Sequence, residues 1–317
     1  MYEKILVPLD GSPFAENALP HALGLARHTG AVLHIVLVHH IQLPMEPAWA
    51  GPTDDYARSM YESEVLYLQD VRKRLERWSF AKLVMHHASG APAHTIPRLA
   101  AELNVDIVIM STHGRGGVQR AWLGSVADAV VRRARVPVLL VRPSPEATRP
   151  RLEPVSAHRV LVALDGSRVA EAALAAATEL AYAEDATCTI LRVVVPPMFI
   201  SSYPPETGRL NAEQIESASE TAEGYMRALE TRVPGVDGAE VVVHAQPAEM
   251  ILKYAEAHEA DLIALGSRGM GRIARLFIGS VADKVVRGAH VPVLVSPTPT
   301  RRLRQQRRAA AAAAAKA

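Results

Sequence analysis

The sequence predicts an α/β fold built from two tandem, doubly wound units. Each is expected to be a Rossmann-like five-stranded parallel sheet of strand order 3-2-1-4-5, the two packed as an intrachain pseudo-dimer. Three observations carry this expectation. The chain repeats itself once over most of its 317 residues. Each repeat alternates short aliphatic runs with stretches of helical periodicity. Glycine-marked turns follow the first and fourth aliphatic runs. Strands alternating with helices give a parallel sheet covered on both faces, and right-handed crossovers wind it doubly. The strand order is assumed from this class, not read from residues.

The repeat is explicit. Asp10-Gly11-Ser12 returns as Asp165-Gly166-Ser167, Gly124-Ser125-Val126-Ala127-Asp128 as Gly279-Ser280-Val281-Ala282-Asp283, and Val136-Pro137-Val138-Leu139 as Val291-Pro292-Val293-Leu294, each 155 residues on. Between 124 and 141, 13 of 18 positions match their partners, too many for chance. A spacing this long means duplicated domains, since solenoid repeats run roughly 20–50 residues. The units are set at 1–143 and 157–298. Residues 144–156 are rich in proline and charge and read as an exposed, semi-rigid linker. Residues 299–317, with Arg301, Arg302, Arg304, Arg307 and Arg308 before an alanine run, read as a frayed, solvated tail.

Within the first unit, residues 3–9 form an aliphatic run that stops at Asp10-Gly11, a buried strand. Ser12 is placed to cap a helix whose Ala15, Ala18, Leu19, Ala22, Leu25 and Ala26 recur at helical spacing. Gly30 ends it. Residues 31–38 make the second strand, about 54–79 a long helix, and 82–87 the third strand. Pro92 opens the next helix. Residues 105–110 are the fourth strand, about 124–134 a helix, and 138–141 the fifth strand. The Pro-rich segments 42–55 and 197–210 are candidate lids.

Composition excludes several classes. Apolar residues make up 49% of the chain, enough for a sizeable core. A net charge of +2, spread along the chain, gives no argument for a nucleic-acid partner. One cysteine, Cys188, excludes an internal disulfide and fits a reducing compartment. No apolar run reaches the length of a membrane span, and the N-terminus reads as a strand, not a signal segment. The expectation is a cytoplasmic protein without membrane or nucleic-acid partners.

Doubly wound sheets bind ligands beyond the C-terminal ends of the strands where strand order reverses, here between the first and fourth strands. Both glycine-marked turns fall there. In the second unit the loop reads Gly266-Ser267-Arg268-Gly269, then nine residues, then Gly279-Ser280. The last pair opens a helix whose free N–H groups and dipole suit phosphate. A lone Gly-x-x-Gly would be an ordinary turn. The whole pattern, with Asp-Gly-Ser after the first strand, resembles the ATP-binding class of universal stress proteins. The resemblance covers nearly the whole chain, twice, and includes the Val-Pro-Val terminal strands and the helix starts Pro92-Ala93 and Pro247-Ala248.

The resemblance implies a site in each unit. Asp10 or Asp165 lies beside adenine and ribose. Pro8 or Ala163 floors the base pocket, and Val38 or Val193 offers backbone groups to the adenine edge. Met110, Ser111 and Gly114, or Leu265, Gly266 and Gly269, wrap the ribose and phosphates. Gly124, Ser125 and Val126, or Gly279, Ser280 and Val281, bind phosphate. The ligand implied is ATP, with or without magnesium, in a regulatory or stress-response protein with little or no catalysis. A slow ATP hydrolase and an interaction scaffold with vestigial clefts are the alternatives. Family members pair through edge strands, which a tandem chain can satisfy internally, with a homodimer left open.

Ser111 departs from the pattern, standing where the first loop glycine belongs. If that position needs positive φ, the serine is strained; if it needs only small size, serine serves. Arg115 and Arg268 are placed equally at phosphate or in solvent, and His113 in the cleft loop. Asp128 and Asp283 are given to packing or the helix dipole. No metal ligands are assigned: neighbours on a strand face opposite ways, so neither His39-His40 nor His86-His87 chelates simply. No Walker-type loop or Ser/His/Asp triad is present to argue for catalysis.

Overall fold

The structure, a computed structural model, describes residues 2–40, 54–114, 123–143, 149–167, 170–196, 206–267 and 279–297, with side chains of the two longest helices from 58 and 212 onward. The first half runs β1 (Lys4–Leu9), α1 (Ala18–Thr29), β2 (Val32–His39), α2 (Asp54–Leu75), β3 (Lys82–Ser89), α3 (Pro92–Glu102), β4 (Ile107–Ser111), α4 (Ser125–Arg133) and β5 (Val138–Val141). The second half repeats it as β6 (Arg159–Leu164), α5 (Ala170–Glu184), β7 (Thr187–Val194), α6 (Glu206–Arg232), β8 (Gly238–Val243), α7 (Pro247–Ala257), β9 (Leu262–Gly266), α8 (Ser280–Gly288) and β10 (Val293–Ser296). The expected lid segments fall largely at 41–53 and 197–205, outside the described residues, as do the tail and both loop arginines.

Each half has strand order 3-2-1-4-5, and the two sheets are one. The ten strands run β3-β2-β1-β4-β5-β10-β9-β6-β7-β8. Pairing within each half is parallel, and β5 meets β10 antiparallel, with Val138 opposite Val295 and Leu140 opposite Val293. The strands that follow the two Val-Pro dipeptides thus pair with each other. An open edge on each half would expose unpaired backbone groups, and fusing the edges removes both.

The aliphatic runs become strands because both faces are covered. In β1, residues 5–9 are all buried. One face of the sheet carries α1, α2, α5 and α6, whose Leu19, Leu23, Val71, Leu174, Leu180 and Met226 join a single core cluster running through both halves. The other face carries α3, α4, α7 and α8. Helices α1 and α5 pack against each other across the junction. There the Tyr2 hydroxyl donates to the Ala176 carbonyl at 3.0 Å.

Three local details differ from expectation. A 3-10 turn, Ala15–Asn17, precedes α1, and Ser12 Oγ accepts from the Ala15 N–H at 3.2 Å, capping that turn instead of the α-helix. Asp106 is not in β4: its carboxylate accepts the Glu3 and Lys4 N–H groups at 2.8 and 2.9 Å, pinning β1 beside β4, and Asp261 does the same for Arg159. The third concerns the segment before β6, which is largely exposed yet docked at Leu152 and Val155. Leu152 is buried, and its carbonyl accepts from Trp78 Nε1 at 2.8 Å and Arg77 Nη2 at 2.7 Å. The Val155 N–H donates to the Pro20 carbonyl at 3.0 Å. Gly24 lets this strap lie directly on α1, since a Cβ there would collide with the Val155 carbonyl.

Candidate functional site

The cleft begins at the end of β1. Gly11 and Gly166 both have φ of +82°, a conformation glycine adopts without strain, so each Asp-Gly-Ser turns sharply back. Asp10 Oδ1 accepts from the Ser12 N–H at 2.9 Å and the Ser12 hydroxyl at 2.6 Å. Asp165 Oδ1 accepts from the Ser167 N–H at 2.9 Å. One oxygen of each carboxylate therefore holds the turn, as Asp does in Asx-turns. The other oxygen of Asp10 lies against Gly114, where any Cβ would strike it. Asp10 and Gly114, 104 positions apart in sequence, thus form one rim.

The other side comes from β4 and α4. The Thr112 N–H donates to the Val141 carbonyl at 2.9 Å, and the Gly124 N–H to the Thr112 carbonyl at 2.8 Å, pulling the start of α4 back onto the end of β4. In the second half Ser267 and Gly279 repeat both bonds, to Ser296 and Ser267, at 2.8 and 2.9 Å. Gly124 and Gly279 are extended N-caps, with ψ of 148° in each, and neither helix has a side-chain cap. Among the described residues, no capping side chain satisfies the first-turn donors of either helix.

The apolar members converge on one face. Val38, Met110 and Val126 belong to the α3/α4 side of the sheet, and Val193, Ala163 and Leu265 to the equivalent α7/α8 side. Ala163 stands directly opposite Leu265 in the β6–β9 register. Pro8 is buried near the end of β1. Ser125, Ser280 and Val281 are exposed at the helix starts. Gly269 lies outside the described residues.

Ser111 is not strained. It is the last residue of β4, buried, and absent from the positive-φ positions, as is Gly266 at the end of β9. The position does not require a left-handed backbone. The Ser111 hydroxyl accepts from the His113 N–H at 3.4 Å, and His113 Nδ1 meets the Thr112 hydroxyl at 3.0 Å.

Sequence reasoning missed features on the opposite face. His39 and His87, from different strands, converge with Glu64 of α2. Adjacent histidines do diverge, since His86 instead meets His34 at 2.9 Å on the other side of the sheet. Only the pairing of β2 with β3 brings His39 and His87 together, so no spacing in the sequence reveals it. A cavity of about 650 Å³ lies beside α6, lined by Gly166, Arg192, Ser217, Thr221 and Tyr225. Two buried nitrogens of Arg192, Nε and Nη1, have no hydrogen-bond partner. Cys188 is buried, and burial followed by nearby Asp237 pushes its thiol up to about 12, which makes it a poor nucleophile.

The fold defines a tandem, doubly wound α/β protein with the same pair of turns at the strand-order reversal of each half. The model of the universal stress protein family matches residues 1–142 and again 156–297, and the chain belongs to that family. It is 28% identical over 307 residues to a universal stress protein of Mycobacterium tuberculosis, covering 92% of this chain and 95% of that one. A universal stress protein of Methanocaldococcus jannaschii is 32% identical over 146 residues, 45% of this chain and 83% of its own length. Among solved structures, a universal stress protein of Archaeoglobus fulgidus aligns over 93% of this chain and 96% of its own, with a TM-score of 0.66 at 22% identity, a likeness of fold. Among the described residues, no helix is long and apolar enough to cross a membrane.

Proposed function

We propose that each half of this chain binds an adenine nucleotide, ATP foremost, and that the protein serves a regulatory role in stress response with little or no turnover. The observation that carries this reading is the close approach of Asp10 and Gly114 beside the uncapped start of α4, at the point where strand order reverses. The Asp10 carboxylate leaves no room for a side chain at Gly114, which suits a loop that lets a ligand's ribose and phosphates lie against main-chain atoms. Uncapped N–H groups at Ser125 and Val126, and at Ser280 and Val281, offer donors for phosphate oxygens. Pro8, Val38 and Met110, with Ala163, Val193 and Leu265, supply an apolar floor for the base. Asp10 and Asp165 hold their turns with one oxygen, which fits a positioning role better than that of a base.

The test is a count. Purified protein is denatured and the released small molecules are identified by mass spectrometry, with titration of ATP and magnesium into stripped protein alongside. Two adenine nucleotides per chain are expected. One per chain would restrict the reading to a single half. Neither co-purified nucleotide nor saturable ATP binding would overturn it in favour of an interaction scaffold.

A further inference from the structure

We propose that His39, Glu64 and His87 form a binding site for one divalent transition-metal ion of the zinc class. The site lies on the α2 face of the sheet, opposite the apolar floor of the nucleotide cleft, and it does not depend on nucleotide binding.

The ligand atoms come from three elements. His39 Nδ1 lies 2.7 Å from Glu64 Oε2, and His87 Nε2 lies 2.8 Å from the same oxygen. All three atoms lie within 4.8 Å of one another. A tetrahedral zinc ion with bonds of about 2.0–2.1 Å sets its ligands roughly 3.3 Å apart. Shifts on the order of an ångström at the side-chain tips would therefore admit the ion. Register explains the convergence. Leu37 stands opposite His87 and His39 opposite Ser89, so His39 and His87 are diagonal neighbours on one face, with α2 laid across them.

The chemistry of the set is specific. Two imidazoles and a carboxylate are a ligand combination of catalytic zinc sites, which keep a fourth position open. Glu64 is 5% exposed, whereas His39 and His87 are 15% and 12% exposed, enough for solvent to reach an ion from their side. The Tyr61 ring packs 4.4 Å from that of His87 and walls the cluster. A carboxylate this buried is costly unless paired, and here both partners are groups that bind metals when neutral. The ion would take the place of the two hydrogen bonds that now converge on Glu64 Oε2. The second half has no counterpart. Val194 stands at the His39 position, and Val241, opposite Arg192, at the His87 position. One ion per chain follows, in the first half only.

The experiment uses the full chain, stripped with a chelator and dialysed. Zn²⁺ is titrated by calorimetry, and Co²⁺ by visible absorption, whose intense bands report tetrahedral coordination. The expected result is one ion per chain with a tetrahedral Co²⁺ spectrum. H87Q and E64Q should each weaken binding by about 100-fold or more, beyond what loss of an outer partner costs. H86Q, on the opposite face, should leave it unchanged. Circular dichroism and the ATP stoichiometry of each variant separate lost ligands from lost folding. Absence of a stoichiometric ion in the wild type, or equal affinity in the folded H87Q protein, overturns the proposal. So does binding that is lost in H86Q.

Discussion

At Gly114 the difference between a hydrogen and a methyl group decides a contact. A Cβ there meets the Asp10 carboxylate, which Ser12 already holds in place from its other oxygen. Gly114→Ala should therefore displace either the loop or the aspartate. Its expected effect is a loss of ATP affinity in the first half of about tenfold or more, equal to about 1.4 kcal/mol, with little change in the thermal midpoint. Calorimetric titration of the variant reads both halves at once and should show one site weakened and one intact. Ser111→Gly is the contrast. Because Ser111 sits in extended backbone, the glycine relieves no strain and should leave affinity within about threefold while costing about 0.5–1 kcal/mol of stability. A marked gain in affinity on making this glycine would contradict the geometry.

Helix α5 carries a buried acid whose behaviour belongs to the way elements meet. Glu184 Oε2 accepts the Ala157 N–H at 2.7 Å, where the docked strap enters β6. Burial pushes its carboxyl up to about 7, against the lowering effect of that hydrogen bond. The folded state thus holds this proton more tightly than the unfolded chain. Its contribution to stability is fully present below about pH 4.5 and is lost as pH rises through 7. His21, across the same small cavity, is shifted the other way, to about 4 by burial, so its contribution is present above pH 6.5 and lost as pH falls through 4. The two slopes offset each other between about pH 4.5 and 6.5. Glu184→Gln removes one of them. Urea midpoints should show the variant gaining on the wild type between pH 5 and 8, by up to about 3 kcal/mol. A constant gap across that range would mean that Glu184 ionises like a surface carboxylate.

Taken whole, the molecule is one sheet with a core layer on each face that runs through both halves, not two beads on a linker. Leu294 is fully buried where β10 meets β5, and the cluster containing Leu23 also contains Leu174 and Leu180. Unfolding one half would expose the other's β5 or β10 edge and the facing surfaces of α1 and α5. Scanning calorimetry should accordingly show a single cooperative transition, and Leu294→Asp, which buries an unpaired charge in the junction, should lower its midpoint by many degrees. Two separated wild-type transitions would contradict a shared core. The sequence by itself determined the duplication, the alternation of strand and helix, and the place of the cleft, because these rest on local periodicity and turn chemistry: Gly11 needs its positive φ wherever the chain goes. Placing the Asp-Gly-Ser and glycine-loop turns together needed the rule that parallel sheets bind at a reversal of strand order, and also the 3-2-1-4-5 order, which the sequence left assumed and the structure supplies. Tertiary structure alone decided the rest. It laid the 149–157 strap on α1 and set His39 beside His87 and Glu64, whereas the joining of two edges into one sheet was already implied by the family resemblance. Those are contacts between residues distant in sequence, fixed by register and packing, and no local pattern of residues encodes which distant partner fills a given face.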